Sequence, residues 1–213
     1  MPLPHNLFDY CSIRKSNFIE KYLVVKRKIS FVYKADILLT KLIIRGVTIM
    51  KLTTKDLCLT ALFTAIVFVM TFVPKIPIPL GYAHLGDAAV LLAVVLLGRK
   101  QGAIAGAVGS ALADLIGGFA LWIVPTLLIK YIMAWIFGIL YKSNHNRFAI
   151  NGGNLTAIFL GLVWMVAAYT IFGAVLYDSI EAGLSSTPGL ALKALLNAII
   201  FLILVKPLQK ISL

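Results

Sequence analysis

Charge and cysteine are both scarce in this chain, and their scarcity removes most of the classes its length would allow. Only 13% of the 213 residues are Asp, Glu, Lys or Arg, while 61% are hydrophobic. A water-soluble domain carries about 25% charge and about 45–50% apolar residues. So few polar side chains cannot cover the surface of a soluble globule, which excludes a soluble enzyme or binding domain. Disorder needs low hydrophobicity, and the mean hydropathy here is +0.96. Two cysteines, Cys11 and Cys58, are too few for a disulfide scaffold or a four-cysteine zinc site. No GxxxxGK[ST], HExxH or GxSxG occurs, so the chain has no P-loop with which to hydrolyse ATP. No pair of carboxylates lies mid-span for proton coupling. Nor does the second half repeat the first, as in an inverted-repeat transporter. What remains is a polytopic helical membrane protein without its own energy source. Its net charge of +12 then marks cytoplasmic loops rather than a nucleic-acid surface.

The first 49 residues differ from the rest. They hold nine basic residues (Arg14, Lys15, Lys21, Lys26, Arg27, Lys28, Lys34, Lys41 and Arg45) against Asp9, Glu20 and Asp36. Their apolar residues come in short bursts, none near the roughly 20 needed to cross a bilayer. Residues 1–49 therefore read as a basic extension outside the working fold, with a polybasic arm on anionic lipid as the alternative. Met50 opens a short basic tail and a helix cap, Lys51-Leu52-Thr53-Thr54-Lys55-Asp56, followed by a long apolar run. The working domain is placed at 50–213.

Six spans are expected there: Leu57–Val73, Asp87–Leu97 extended outward by Tyr82–Gly86, Gln101–Leu115, Phe119–Tyr141, Leu155–Tyr177 and Leu190–Val205. Lys51, Lys55, Arg99, Lys100, Lys142, Arg147, Lys206 and Lys210 all fall on one side of that layout. The positive-inside rule makes that side the cytoplasm and puts both termini there. The expected fold is thus an all-α integral membrane protein of six transmembrane helices with both termini cytoplasmic.

Small residues mark packing faces. Gly102 and Gly106 form a GxxxG, Gly109 follows, and Ala103, Ala107 and Ala111 repeat the four-residue step, which lets a neighbouring backbone approach closely. Ala61 and Ala65 form an AxxxA in the first span. The first outer loop, Val73–Tyr82, has prolines at 74, 77 and 79 and should be stiff and extended. Hinged at Gly81, it would serve as a lid or as a plain connector.

Polar residues within spans are costly and informative. Lys130 lies near the middle of the fourth span, where exposure to lipid costs about 2.5–3.5 kcal/mol. It must face the interior, either toward a ligand or toward a carbonyl or carboxylate partner near the outer side. Asn197 sits mid-span in the sixth helix, with Tyr169 and Trp164 in the fifth and Trp122 and Tyr131 in the fourth. Asp87, before Ala-Ala-Val-Leu-Leu, reads as a helix N-cap. Asp114 ends a helix, where its charge opposes the dipole, and is the better candidate for a ligand contact.

The stretch His84-Leu85-Gly86-Asp87-Ala88 through Leu96-Leu97-Gly98-Arg99-Lys100-Gln101-Gly102, continuing to Gly109-Ser110-Ala111-Leu112-Ala113-Asp114-Leu115, resembles the substrate-binding S components of energy-coupling factor (ECF) vitamin transporters. More narrowly, it is similar to the hydroxymethylpyrimidine or pyridoxine group. The resemblance covers Met50 to the C-terminus. It implies a non-enzymatic, multi-pass protein of the bacterial cytoplasmic membrane that captures a vitamin at the outer face, needs no cofactor or metal, and works with a coupling subunit and a pair of ABC-type ATPases. Ala61 and Ala65 match the family's docking motif for the coupling subunit. The family's pocket location points to Trp122, Lys130, Tyr169 and Asn197, joined by Asp114 and His84. An autonomous small transporter and a non-transporting membrane scaffold are the competing readings.

Overall fold

A computed structural model describes residues 53–74, 76–78, 81–142 and 151–208. The basic segment 1–49, with Lys51, Lys75, Arg147 and Lys210, lies outside them. Six α-helices form the described fold: α1 (Thr54–Phe72), α2 (Gly86–Leu97), α3 (Arg99–Ile116), α4 (Ile123–Leu140), α5 (Gly152–Leu176) and α6 (Ile180–Leu208). Strands β1 (Ile76–Ile78) and β2 (Gly81–Ala83) pair antiparallel between α1 and α2, with Pro77 opposite Tyr82.

Four segments are long and apolar enough to cross a membrane: Thr54–Phe72, Ala120–Leu140, Gly152–Leu176 and Ile180–Pro207. The other two expected spans depart from that pattern for separate reasons. The α2 helix has 12 residues, about 18 Å at 1.5 Å per residue, which is short of a bilayer core of about 30 Å. Its expected outward extension is not helical, because Gly81–Ala83 is drawn into the hairpin instead. Gly81 pairs with Ile78 there, so it is a strand residue and not a free hinge. The α3 helix is long enough at 18 residues but includes Arg99, Lys100 and Asp114 and is diluted by glycine and alanine. Arg99 and Lys100, expected in a loop, form the first turn of α3, and Gly98 at φ 88° makes the break from α2. That positive φ suits glycine alone at little cost.

Local chemistry explains several ends. Thr53 and Asp56 form a reciprocal capping box that starts α1, the arrangement that satisfies two otherwise free backbone donors. Asn151 caps α5 by accepting from the Asn154 backbone. The sixth helix begins ten residues before the expected Leu190 and runs through Pro188. A proline inside a helix removes a backbone bond, and here contacts with α5 hold the preceding turns. A Cβ at Gly183 would meet Thr170 O at 2.6 Å, and the Thr170 and Thr187 hydroxyls bond at 3.0 Å.

The helix α2 is the centre of the bundle: every residue from Gly86 to Val94 is buried. It packs against α1, α3, α4 and α6. The glycines of α3 set the closest approaches. A Cβ at Gly102 would lie 2.5 Å from Val94 Cα, and one at Gly106 would lie 2.6 Å from Val90 Cγ1. On its other side α3 meets α1, where a Cβ at Gly109 would lie 2.6 Å from Thr64 O.

Candidate functional site

Because consecutive helices run in alternating directions, one end of the bundle gathers the hairpin, the starts of α2, α4 and α6, and the ends of α1, α3 and α5. His84, Asp87, Asp114, Trp122 and Tyr177 all fall at that end. The basic residues Lys55, Arg99, Lys100, Lys142 and Lys206 fall at the opposite one.

The polar cluster is built on Asp87, in the first turn of α2 and fully buried. Its Oδ1 accepts from the Lys130 ammonium of α4, which is also fully buried. Its Oδ2 stands 3.4 Å from the Lys193 ammonium of α6, only 3% exposed. Neither lysine tolerates lipid, so two ammonium groups share one carboxylate. Both also lie over the Tyr169 ring of α5, Lys130 at 5.4 Å and Lys193 at 5.1 Å from its centroid, within the range of cation–π attraction. Asp114, buried in the last turn of α3, adds its field to that at Lys193.

An aromatic wall continues from Tyr169. Its hydroxyl bonds Thr126 Oγ1 at 3.1 Å, and its ring lies 5.6 Å from that of Trp122. Trp122 ends a 3-10 turn, Ala120–Trp122, and its indole N–H donates to Tyr177 Oη at 3.3 Å. Trp164, also on α5, donates to the Ile129 carbonyl at 3.2 Å and ties α5 to α4.

Asn197 carries a different load from the one expected of it. Its amide donates to the His84 and Lys193 carbonyls, each at 2.8 Å, and its Oδ1 accepts from Ala88 N at 2.8 Å. His84 Nδ1 accepts from Gly86 N at 3.0 Å. Together these two side chains satisfy two backbone donors at the start of α2, Gly86 N and Ala88 N, the capping role expected of Asp87. Asp87 is not the N-cap; that position is Leu85, which makes no side-chain bond. Asp87 is one residue inside the helix and is spent on the lysines.

The structure thus gathers Trp122, Lys130, Tyr169, Asn197 and His84 at one end of the bundle, with Asp114 nearby. Sequence reasoning missed Asp87, Lys193, Thr126 and Tyr177 as members. The signal for Lys193 was present, a second lysine inside an apolar span four residues before Asn197 and therefore on its face. Two lysines within spans call for a buried carboxylate, and Asp87 is the one that meets both. Ala61 and Ala65 lie elsewhere, on the exposed side of α1 beside Leu62 and Ile66.

A concavity of about 760 Å³ runs between α5 and α6. Its walls are apolar, from Leu155 to Leu202, and their threonines Thr170 and Thr187 bond each other. Phe159, Ile171, Leu184 and Leu195 on its rim are exposed. Its lining offers no polar anchor beyond that threonine pair, whereas the buried cluster brings charged groups together.

Comparison with known proteins agrees with this architecture. The profile of the family described as "ECF-type riboflavin transporter, S component" matches residues 51–210. The chain belongs to this family of ECF-type transporter S components. It is 41% identical over 113 residues to an uncharacterized protein of Pyrococcus woesei, covering 52% of this chain and 73% of that one. It is 29% identical over 177 residues to the biotin transporter BioY of Rhizobium etli, covering 70% and 92%. Among solved structures, the S component of a bacterial ECF transporter superposes with a TM-score of 0.53 at 20% identity, over 70% of this chain and 92% of that one. That likeness establishes the fold. The hydroxymethylpyrimidine or pyridoxine group finds no counterpart among these relatives.

Proposed function

We propose that this S component captures one vitamin-sized molecule at the outer face of the cytoplasmic membrane and passes it to a coupling subunit driven by a pair of ABC-type ATPases. The observation that carries the reading is the buried group of Lys130, Lys193 and Asp87 against Trp122 and Tyr169, charged side chains in a mainly apolar core. Ligand sites are mostly apolar with a few convergent polar groups, and intramembrane charges mark function by default. In this reading both termini are cytoplasmic, the basic helix ends face inward, and residues 1–49 stand outside the working fold. The hairpin β1–β2 covers the outer end, and Ala61 and Ala65 form the surface on which the coupling subunit docks.

Three ligand classes are in contention. The sequence resemblance favours hydroxymethylpyrimidine or pyridoxine, the family description prints riboflavin, and the Rhizobium relative transports biotin by its name. All three present a flat or compact ring to Trp122 and Tyr169. Mass spectrometry of small molecules released from the purified protein tests the proposal. One vitamin-sized compound near unit stoichiometry is expected, and lipid alone would speak for a scaffold.

A further inference from the structure

An ammonium group carries three donors and no acceptor, so Lys130 and Lys193 bring six N–H groups into a water-poor interior. Among the described residues they make one hydrogen bond, Lys130 to Asp87 Oδ1. Lys193 reaches Asp87 Oδ2 only as a 3.4 Å ion pair, and that oxygen accepts no hydrogen bond. The remaining neighbour common to both is the Tyr169 ring face, which attracts a cation but accepts little from its donors. Asp114 acts on Lys193 through space and balances its charge without receiving a hydrogen bond from it. Charge is therefore compensated while donor capacity is not. Buried donors without acceptors cost about 1–3 kcal/mol each, and among the described residues these two ammonium groups meet no further acceptor.

We infer that the ligand carries an anionic oxygen group, carboxylate or phosphate, which Lys193 and Lys130 bind beside Asp87 while its ring lies on Trp122 and Tyr169. The inference rests on the proposed capture function and narrows its ligand class. A neutral ring alone would leave the ammonium donors as unfilled as they are now. Carboxylate or phosphate oxygens would accept from them, and charge-assisted bonds are the stronger kind. Lys193 is then the residue that sets specificity, because Lys130 already spends a bond on Asp87.

The test is calorimetric titration of the full chain in lipid nanodiscs with paired probes: biotin and biotinamide, 4-pyridoxate and pyridoxine, nicotinate and nicotinamide, and flavin mononucleotide and riboflavin. In the pair that binds, the acid is expected to bind about 10- to 100-fold tighter than its neutral partner, the range that charge-assisted bonds supply. The first three pairs report a carboxylate and the last a phosphate. Lys193→Gln should remove the difference within the pair, and Lys193→Arg should restore most of it. Equal affinity for acid and neutral partners, or tighter binding of the neutral one, overturns the inference and leaves the capture function standing. Equal weakening of both partners by Lys193→Gln overturns it too. If no probe of any pair binds, the inference is overturned, and the capture function is decided separately by the mass spectrometry of released ligand.

Discussion

Lys130 of α4 donates to Asp87 of α2, and both side chains are completely buried. The pair joins the central helix of the bundle to its neighbour at the level where Tyr169 and Lys193 also meet. Removing one partner of such a pair strands the other charge, which costs about 3–5 kcal/mol. Asp87→Leu strands two ammonium groups and should be the most damaging single change at the site. Replacing Asp87, Lys130 and Lys193 together with leucine should recover most of the stability while abolishing ligand binding. Thermal unfolding in detergent, read beside binding, checks this. Stability equal in Asp87→Leu and the triple variant would show that the charges are not coupled.

Asn197 makes two hydrogen bonds that tie α6 to the hairpin end and to the start of α2, and a third to the Lys193 carbonyl within α6. Asn197→Leu leaves the His84 carbonyl and Ala88 N–H unsatisfied, at about 1–3 kcal/mol each. The variant should lose both stability and ligand affinity, the latter by about tenfold or more. Asp114→Asn removes a negative charge that acts on Lys193 and should tighten binding of an anionic ligand. If Asn197→Leu keeps the wild-type unfolding temperature, these bonds do not hold the hairpin.

The glycines of α3 should rank by what an added Cβ would strike. At Gly109 the obstacle is Thr64 O and at Gly102 it is Val94 backbone, whereas Gly106 meets only the Val90 side chain. Backbone cannot yield without separating helices, so Gly102→Ala and Gly109→Ala should each cost about 1–3 kcal/mol. Gly106→Ala should cost less. Unfolding temperatures in the reverse order would contradict this packing.

Much of this architecture was legible because lipid imposes simple rules. Apolar length located α1, α4 and α5 closely, since a spanning helix must satisfy its own backbone. The start of α6 was missed because Pro188 and Gly189 resemble a boundary, and the α5 contacts that override them are not local. Lys130 and Asn197 could be found as polar residues where lipid penalises them. Asp87 could not be placed, because its position before an alanine pair gives the same pattern as a cap. Only the packing of α2 against α4 and α6 shows that it belongs to the lysines.

Orientation is open to direct labelling. With Cys11 and Cys58 replaced, a membrane-impermeant thiol reagent added from outside should modify a cysteine at Asp178 and spare one at Lys142. The reverse pattern would invert the bundle and move the cluster to the cytoplasmic half.

The exposed face of α1 gives the docking test. Ala61→Trp with Ala65→Trp fills the shallow surface that small residues leave for a partner helix. Uptake and copurification of the coupling subunit should be lost while ligand affinity stays near wild type. Loss of ligand binding would make the AxxxA an internal packing feature, and intact transport would place the docking surface elsewhere.

The central claim is that this chain captures a ligand but cannot move it unaided. The most direct measurement is accumulation of a radiolabelled vitamin that the protein binds, in cells making the chain alone or together with a coupling subunit and ATPases. Alone, the cells should retain label only in proportion to the protein present. With the partners, label should accumulate well beyond that ratio and stop when ATP is depleted. Concentrative uptake by the chain alone would contradict the account.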